Sequence, residues 1–502
     1  MEIFNTKSRK KETFKPLSSR EVKAYSCGPT VYNYVHIGNL RAYTFEDIVV
    51  KTLRYLGYNV KYLMNITDVD DKTIRDSIAA HKSLKDFTEK YTSIFLEDIK
   101  KLNITPADEI VPVTTLITEM VRMINTMLRR GFAYLASDGS IYFKVSEFKN
   151  YGKFANLDMS HLKESVRIDN DEYDKEKAAD FVLWKAWKET DGDNFWDEEF
   201  TLVKSESQPT AGFEIVKEDE KEITVKIKGR PGWHIECSAC NMKYHGQQID
   251  IHMGGEDLIF PHHQNEIAQT ESCTRKEFSR YWLHNGHLMV DGKKMSKSLG
   301  NFYTLKDLEE KFSDIKKSVL YRAIRLSFMM GKYREVIDFS FSKLEANINS
   351  INKIDETLRK IDFTLQSAPE RGVSKEFREE MQLFIAEYIA SLEDDFNTPE
   401  ALAVFYNFMK FVNSGLSEQS FSLEELKSIK DMLETFNQVF SIIDFESIES
   451  EVIPPDILVK LDERNAAKKE KNFALADAIR DELLQAGYKI IDSREGSRVE
   501  KI

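Results

Sequence analysis

Hydrophobic and polar positions at the start of the chain follow two different periods. Residues 22–26 and residues 60–66 form short apolar runs, and residues 40–57 between them carry apolar side chains at helical spacing. This order predicts a strand, an amphipathic helix and a parallel strand. Ligands of open α/β folds bind beyond the carboxyl ends of such strands. The pattern therefore predicts a site around Cys27 and Thr67, which follow the two strands.

The alternation of strands and helices stops after this first unit. Helical spacing predicts helices over residues 83–103 and 114–130, and a hairpin over residues 132–145 turns at Asp138 and Gly139. Residues 189–228 are acidic and contain an alternating strand, which we interpret as a β excursion on the surface with no assigned chemistry. An insertion therefore separates two halves of the predicted parallel sheet.

The second half of the chain returns to a buried strand and then becomes helical. We expect residues 229–232, which contain glycines and a proline, to break the chain before a short buried strand at 249–253 and a helix at 262–274. Helical spacing then predicts the remaining elements, namely helices at 305–312 and 315–330, a helical bundle over 341–440, two helices within 456–487 and a small β tail at 488–502. The predicted fold class is α/β, with a Rossmann-type parallel sheet that is split by an insertion and followed by a C-terminal α-helical bundle.

Composition limits the class of protein further. A chain of 502 residues is too long for one ordinary core. Its four irregularly spaced cysteines do not form a disulfide framework and suggest a reducing compartment. We find neither an apolar signal core nor a long uncharged apolar span, so a soluble cytoplasmic protein with no membrane contact is expected. The net charge of −13 argues against indiscriminate coating of nucleic acid.

Two polar segments stand where phosphate chemistry is expected. His36-Ile37-Gly38-Asn39 opens the first predicted helix, where His36 can donate to a phosphate oxygen and Gly38 lacks a Cβ that would keep a base off the backbone. Residues 292–301 form a loop with three lysines and two serines that could close over a triphosphate. Each segment alone has an ordinary alternative, a packed histidine in the first and a solvated basic loop in the second.

Together the two segments resemble the two signatures of class I aminoacyl-tRNA synthetases, and the residues around them resemble the cysteinyl-tRNA synthetase family. The resemblance covers nearly the whole chain. It is also carried by residues 3–6, 25–32, 65–72, 181–185, 229–238, 254–266 and 394–401.

The resemblance implies ATP-dependent ligation of L-cysteine to tRNA(Cys) through a cysteinyl-adenylate, with release of AMP and pyrophosphate. The implied partners are tRNA(Cys), L-cysteine and ATP with Mg²⁺, and we expect a monomer. The implied domains are a Rossmann catalytic domain in two halves (1–70 and 229–304), a connective insertion (71–228), stem-contact helices (305–340), a helical bundle (341–445) and an anticodon-binding region (456–502).

The family's functional residues transfer to matching positions of this chain. Those implied for ATP are His36, Gly38, Asn39, Lys294, Lys297 and Asp257, of which His36, Lys294 and Lys297 are the expected catalytic residues. Those implied for the cysteine substrate are Thr67, Trp233 and His252. Those implied for the anticodon are Lys468, Phe473 and Asp477, where the alternative is an ordinary pair of charged helices.

Four further residues suggest a metal site. Cys27, Cys237, His262 and Glu266 offer two thiolates, an imidazole and a carboxylate, and the last two are four residues apart on one predicted helix face. In the resembled family these positions bind one Zn²⁺, which the substrate thiolate joins. A soft thiolate is preferred by zinc over a hydroxyl, which would separate cysteine from serine. A structural site using Cys237 and Cys240 is the alternative, which the lack of a second Cys-x-x-Cys disfavours. Members of the resembled family usually carry Met at the position of Cys240, so the resemblance implies that Cys240 is not a ligand.

Two other functions remain open from the sequence. A cysteine ligase acting on an amino-sugar would share the nucleotide and metal sites, but would have no use for the C-terminal region. A zinc-dependent RNA-binding protein without catalysis would have no need for the complete set of residues expected at the ATP.

Overall fold

The computed structural model describes residues 1–157, 167–168, 180–204, 213–295, 300–446, 454–493 and 496–501. It contains two compact units. The first, here called the catalytic unit, comprises Met1–Leu344 with Ser391–Pro399, and the second comprises Glu345–Ala390 with Glu400–Ile502. None of the helices within the described ranges combines the length and the apolar character that a membrane span requires.

The catalytic unit is built on one parallel sheet, here called the central sheet. Its strands lie in the order Ser279–Asn285, Ile249–Gly255, Glu21–Ser26, Asn59–Ile66 and Glu109–Pro112. The first of these strands in the chain lies in the middle, so later strands are added on both sides of it. This arrangement creates a topological switch point beside Ser26, where open α/β folds bind ligands. The α/β class and the βαβ unit predicted from the sequence are confirmed.

The helix that crosses between the first two central strands is Ile37–Tyr55, and it begins three residues before the predicted start. His36 is its N-cap, a residue type that is seldom used there, which is why the pattern of apolar residues alone missed the first turn. The helix is buried on all sides over residues 43–50 and packs against both the sheet and the helix Lys317–Met329. It ends before Gly57, whose φ of 88° lets the chain turn back.

A mixed sheet fills the insertion and is here called the insertion sheet. Its strands are Ala133–Leu135, Ile141–Phe143, Asp180–Ala186, Glu222–Pro231 and Trp196–Val203, with Glu214–Glu218 and Arg167–Ile168 as further edge strands. The predicted hairpin is confirmed by the pairing of Leu135 with Ile141. The interpretation of residues 189–228 as a surface excursion is wrong in part, because Phe200, Leu202 and Val225 are fully buried in the core beside the helix Ile117–Arg129.

The expected chain break at residues 229–232 is wrong. The strand Glu222–Pro231 continues through Gly229, which pairs with Ala186. A Cβ on Gly229 would lie 2.3 Å from the carbonyl oxygen of Lys185, and a Cβ on Gly232 would lie 2.3 Å from that of Val182. These glycines therefore permit close approach of two backbones, and Gly232 caps the next helix.

Besides Ile37–Tyr55, seven α-helices lie wholly within the described part of the catalytic unit. They are Asp71–Ala79, Leu84–Lys101, Ile117–Arg129, Trp233–Tyr244, Gln264–Thr274, Leu305–Lys311 and Lys317–Met329. One buried ion pair joins two of the helices, with Arg325 Nη2 at 2.5 Å from Asp47 Oδ2. Arg325 also donates to the carbonyl oxygen of Leu102, so that one guanidinium ties three segments together.

The second unit is helical before a small β end. The longer helices that belong to this unit wholly or in part are Phe341–Leu365, Lys375–Glu393, Thr398–Ser417, Leu423–Phe440, Pro455–Lys469 and Phe473–Gln485. Aromatic side chains fill the bundle, for example Tyr388 and Phe405 against Phe436. The predicted small β tail is confirmed as an antiparallel pair of the strands Tyr488–Ser493 and Gly496–Lys501. The division of the chain into six predicted segments stays a prediction.

Replacing Asp47 by Asn leaves the guanidinium of Arg325 buried without its charge partner. Arg325 is 0% and Asp47 1% exposed. We expect a loss of about 3–5 kcal/mol in the free energy of unfolding. Urea denaturation followed by tryptophan fluorescence measures it, because all five tryptophans lie in the catalytic unit.

The matched control is Lys7→Ala, which breaks the exposed pair between Lys7 and Glu277 at 2.7 Å. This change should cost no more than about 1 kcal/mol. Equal losses for the two variants would contradict a structural role of the buried pair.

Candidate active site and metal centre

A cleft of about 330 Å³ opens at the switch point of the central sheet. Residues that follow or end four of the five strands line it: Cys27 and Gly28 after the middle strand, Thr67 after its neighbour, and Gly254, Gly255, Asn285 and Gly286 on the other side. The wall opposite the sheet includes the first turns of the helix Ile37–Tyr55. The cleft therefore occupies the place that the sequence predicted for ligand binding.

Four potential metal ligands converge at one end of this cleft. Cys27 Sγ lies 3.7 Å from Cys237 Sγ and 3.7 Å from Glu266 Oε1. His262 Nε2 lies 3.3 Å from Cys237 Sγ and 3.1 Å from Glu266 Oε1. A tetrahedral metal ion with metal–sulfur bonds of about 2.3 Å, as zinc makes, separates two sulfur ligands by about 3.8 Å. The spacing of the four side chains therefore fits a four-coordinate ion.

The four ligands come from three parts of the chain. Cys27 follows the middle strand and Cys237 lies in the helix Trp233–Tyr244. The predicted helix at 262–274 is partly wrong, because its regular part begins at Gln264 and His262 lies in the preceding wide turn Ile259–His263. Phe260 in that turn has non-helical φ and ψ angles. The turn still presents the His262 imidazole to Glu266.

Electrostatics of the cluster favour a bound cation. Burial opposes ionisation of Cys237, but hydrogen bonds to Cys27 and His262 outweigh it and lower the pKa of this thiol to about 6. Burial likewise raises the pKa of Glu266, yet His252 and His262 bring it down to about 2. The negative charges in turn raise the pKa of His262 to about 10 against the effect of burial. A metal ion would supply the positive charge that a proton on His262 otherwise provides.

Two buried histidines hold the ligands from behind. His252 Nε2 lies 2.9 Å from Glu266 Oε2, and His234 Nδ1 lies 3.0 Å from His262 Nδ1. Such contacts fix the orientation of metal ligands. His252 is fully buried and does not line the cleft, so its predicted contact with the cysteine substrate stays a prediction.

A second group of potential ligands overlaps the first. Cys27, His252, His263 and Glu266 also bring their ligand atoms within 4.8 Å of one another. His263 Nε2 is 3.6 Å from Cys27 Sγ but 3.9 Å from Glu266 Oε1. The first group is closer and has two thiols, which makes it the better zinc set.

Cys240 does not belong to either group. It lies one turn beyond Cys237 on the same helix and is fully buried in the apolar core. Burial raises the pKa of its thiol well above the usual value. This placement agrees with its exclusion as a ligand on sequence grounds.

His36 lies at the other end of the cleft and caps the helix. The ring Nδ1 of His36 accepts from the backbone N–H of Asn39 at 3.2 Å, and the backbone N–H of His36 donates to Asn39 Oδ1 at 3.2 Å. Burial lowers the pKa of His36 to about 4, so the ring is neutral at pH 7. Because Nδ1 is an acceptor, the proton of the neutral ring is on Nε2. The cap therefore sets the tautomer and leaves an N–H donor.

Two glycines beside these residues have no room for a side chain. A Cβ on Gly38 would lie 2.9 Å from the His36 ring and 2.6 Å from Met295 Cε. A Cβ on Gly28 would lie 1.6 Å from the carbonyl oxygen of Asn65. Gly38 thus makes room for the His36 ring itself, a reason that the sequence did not reveal, while its predicted approach to a nucleotide base stays a prediction.

Thr67 and Trp233 line the cleft between its two ends. The Trp233 ring lies 4.2 Å from the His262 ring, so it covers one side of the ligand group. Thr67 Oγ1 donates to Glu236 Oε2 at 2.8 Å and accepts from Asn65 Nδ2 at 3.1 Å. Asp257 lines the cleft from the turn Glu256–Leu258.

Sequence reasoning missed Asn65, which organises this wall. Its Oδ1 accepts from Tyr25 Oη at 2.8 Å and from the Gly28 N–H at 3.0 Å, while its Nδ2 holds Thr67. Asn65 belongs to residues 65–72, which carry part of the family resemblance, but its position in the sequence pattern does not indicate a functional role. Only the fold shows that it links the ends of two central strands.

The structure describes only part of the lysine-rich loop at residues 292–301, the second family signature. Lys294 is exposed in the short strand Lys293–Lys294 and lines the cleft with Met295. Lys297 lies among residues 296–299, outside the described residues. Its predicted contact with phosphate therefore stays a prediction.

The residues predicted for the anticodon lie in the second unit. Phe473 begins the helix Phe473–Gln485 and is 60% exposed. Lys468 pairs with Asp492 at 3.0 Å, and Asp477 pairs with Arg480 at 3.2 Å. Phe473 thus presents an open aromatic face, and the contacts of all three residues with RNA stay predictions.

Comparisons with known families agree on the class of protein. The family described as tRNA synthetases class I (C) catalytic domain matches residues 13–204 and 198–349. The DALR domain family matches residues 387–444.

Relatives extend this match over the full length. The cysteine–tRNA ligase of Chlamydia muridarum is 40% identical over 510 residues, which covers 100% of this chain and 99% of the relative. The cysteine–tRNA ligase of Brachyspira hyodysenteriae is 41% identical over 499 residues, with 98% of each chain covered.

Solved structures show the same fold at low identity. The methionyl-tRNA synthetase of Mycobacterium tuberculosis in complex with methionyl-adenylate has a TM-score of 0.53 at 13% identity and covers 84% of this chain and 90% of its own. LeuRS of Agrobacterium radiobacter in a ternary complex with tRNA and LeuAMS has a TM-score of 0.57 at 12% identity and covers 85% of each chain. With the catalytic family matched over most of residues 13–349 and about 40% identity to full-length relatives, the chain belongs to the class I aminoacyl-tRNA synthetases, in the cysteine–tRNA ligase family.

Proposed function

We propose that the protein joins L-cysteine to tRNA(Cys) in an ATP-dependent reaction. The carboxylate of cysteine attacks the α-phosphate of Mg²⁺-bound ATP to give cysteinyl-adenylate and pyrophosphate, and the cysteinyl group then moves to the terminal ribose of tRNA with release of AMP. The observation that carries the proposal is one cleft with two thiols, an imidazole and a carboxylate at one end and a neutral histidine donor at the other.

The thiol end would select the substrate. Cys27, Cys237, His262 and Glu266 would hold one Zn²⁺, which as a soft Lewis acid binds a thiolate in preference to the hydroxyl of serine. The His234 and His252 rings keep His262 and Glu266 in place. Trp233 and Thr67 would enclose the rest of the amino acid, and Asn65 would keep Thr67 at its place.

The phosphate end would stabilise charge as it moves to pyrophosphate. His36 Nε2–H would donate to a phosphate oxygen, and the adjacent helix N-terminus favours negative charge. Lys294 and Lys297 would neutralise the leaving group, Asp257 and Asn39 would contact the nucleotide, and Gly38 would let it approach the backbone. The protein needs no nucleophile of its own, because its work is alignment and charge stabilisation.

The second unit carries the residues that we propose to bind the anticodon of tRNA. Phe473, 60% exposed, would stack on an unpaired base of the anticodon, and Lys468 and Asp477 would add polar contacts. The match to the DALR domain over residues 387–444 favours tRNA over an amino-sugar as the acceptor. We further propose a cytoplasmic monomer with the domain division given by the family resemblance.

The direct test is incorporation of labelled cysteine into acid-precipitable total tRNA with ATP and magnesium. We expect cysteine-specific charging that disappears after zinc is removed with a chelator and returns when zinc is added back. Activation of cysteine without charging of any tRNA would favour the amino-sugar ligase. No activation by fully metallated protein would overturn the proposal and favour a non-catalytic RNA-binding protein.

Replacing Cys237 by Ala should abolish stoichiometric zinc binding, because it removes one of only two thiols in the proposed ligand group. Metal analysis of the purified variant measures this loss, and cysteine-dependent pyrophosphate exchange should fall by at least about 10³-fold. Cys240→Ala is the matched control, since Cys240 lies one turn away on the same helix and belongs to neither group of potential ligands. Loss of zinc from both variants alike would count against the assignment.

Replacing His36 by Asn separates its two roles. Asparagine is a good N-cap, so the helix should stay capped, while the Nε2–H donor is lost. We expect the rate of adenylate formation to fall about 10²- to 10³-fold with little change in cysteine affinity. Single-turnover kinetics and equilibrium binding measure the two quantities, with the exposed His81→Ala as control. Equal effects on rate and affinity would remove His36 from the transition state.

A comparison of the wild-type protein with His36→Asn also tests the protonation state of His36. Because burial lowers its pKa to about 4, the ring should stay neutral from about pH 5.5 to about pH 8. The pH profiles of adenylate formation should therefore run parallel for the wild-type protein and His36→Asn over this range. A profile of the wild-type protein that alone bends near pH 6.5 would show that His36 titrates there.

A further inference from the structure

A polar stripe runs down the helix Ile37–Tyr55 along the wall of the cleft. Asn39, Ala42, Tyr43 and Glu46 all line the cleft, and their spacing of three, four and seven residues places them on one helix face. With a rise of 1.5 Å per residue, Glu46 lies about 10 Å further along the helix than Asn39. The stripe therefore starts beside His36 and ends at a carboxyl group deep in the cleft.

Glu46 is a buried acid. Among the described residues, no basic side chain lies close enough to influence its ionisation. It is 1% exposed, and Tyr62 Oη donates to its Oε2 at 3.2 Å. Ser26 Oγ lies 2.7 Å from the same Tyr62 Oη. Burial raises the pKa of Glu46 to about 8, and only the hydroxyls of Ser26 and Tyr62 oppose this.

The adjacent acid on the same helix shows what a structural carboxyl looks like here. Asp47 is equally buried, yet it pairs with Arg325 at 2.5 Å and with Lys51 at 2.9 Å. A buried carboxyl that lacks such a partner stays mostly protonated near neutral pH, and a cation placed beside it favours its ionised form. Glu46 lines the cleft, so a cation that ionises it can arrive with a ligand.

Within the proposed function, the substrate is that ligand. Cysteine has three polar groups, and its carboxylate must stay free to attack the phosphate near His36. The thiol belongs at the cluster that includes Cys27, which directly follows Ser26 in the chain. The ammonium group lies only a few bonds from the sulfur and is the one cationic group of the amino acid.

We infer that the Glu46 carboxylate accepts the α-ammonium group of the amino-acid substrate. Glu46 is then a specificity-determining residue that holds the amine end, while the cluster holds the sulfur end. With both of those ends fixed, the carboxylate is turned toward the phosphate end of the cleft. The inference rests on the proposed function, and its test is chosen so that the two can fail separately.

The test compares two ligands that differ only in the amino group, L-cysteine and 3-mercaptopropionate. Their dissociation constants for the zinc-loaded protein are measured by isothermal titration calorimetry, for the wild type and for Glu46→Gln. Since hydrogen bonds to charged groups are among the stronger ones, we expect the wild type to bind cysteine about 10- to 100-fold more tightly than 3-mercaptopropionate. In Glu46→Gln this ratio should fall to within about threefold of one, while zinc content and 3-mercaptopropionate binding stay unchanged.

Tyr62→Phe is the matched control. It removes the hydrogen bond to Glu46 Oε2 but leaves the carboxyl group, so the ratio of the two dissociation constants should stay above about tenfold. If Glu46→Gln does not fold, Glu46→Asp provides the second variant, in which the shortened carboxyl should lower the ratio part of the way.

A ratio unchanged by Glu46→Gln, whether both ligands bind as before or both bind more weakly, overturns the inference and makes Glu46 a structural residue. That result leaves the proposed function intact as long as the wild type charges tRNA. A wild-type protein that binds neither ligand overturns the proposed function itself and the inference with it.

Discussion

The cluster of two thiols, an imidazole and a carboxylate is the constraint on which the site depends. Cys27 and Cys237 are more than 200 residues apart in the chain, and their sulfur atoms lie 3.7 Å apart. Bringing buried acids together is unfavourable unless a positive charge compensates them. His234 and His252 hold two members of the cluster, His262 and Glu266, in the orientation that such a charge needs. The two halves of the chain must therefore pair in one parallel sheet with their ligand-bearing ends at the same edge. The insertion between them must fold without separating these strands.

Close backbone contacts make this meeting possible. Gly28 lets the first central strand end against Asn65, and Gly229 and Gly232 let the end of the strand Glu222–Pro231 pass the backbone of Lys185 and Val182 before the helix that carries Cys237. The same residues that read as a chain break in the sequence are thus the points at which two backbones touch. Their conformational freedom matters less here than the absence of a side chain.

Much of the fold could be predicted from the sequence, because apolar periodicity reports burial directly. The first βαβ unit, the hairpin at Asp138 and the helical second unit all follow from local patterns. The early start of the first helix could not be predicted, because a histidine cap depends on how its ring is held. The sequence predicts a surface position for the insertion strands around Phe200 because acidic residues dominate the composition of this segment. Their buried face is defined only by the packing of the helix Ile117–Arg129.

The site shows the same division between local and long-range information. Residue types and motifs identified the potential metal ligands and His36, since thiols, imidazoles and glycine turns are rare enough to be noticed. They could not identify Asn65, which acts by joining two strand ends, or Glu46, which looks like any acid on an amphipathic helix. The difference between Glu46 and Asp47 lies entirely in their partners: one acid meets Arg325 and Lys51, and the other meets two hydroxyls and a cleft. Because no described residue places a cation beside Glu46, the ammonium group of the substrate that we infer there would supply the charge that Arg325 and Lys51 supply to Asp47.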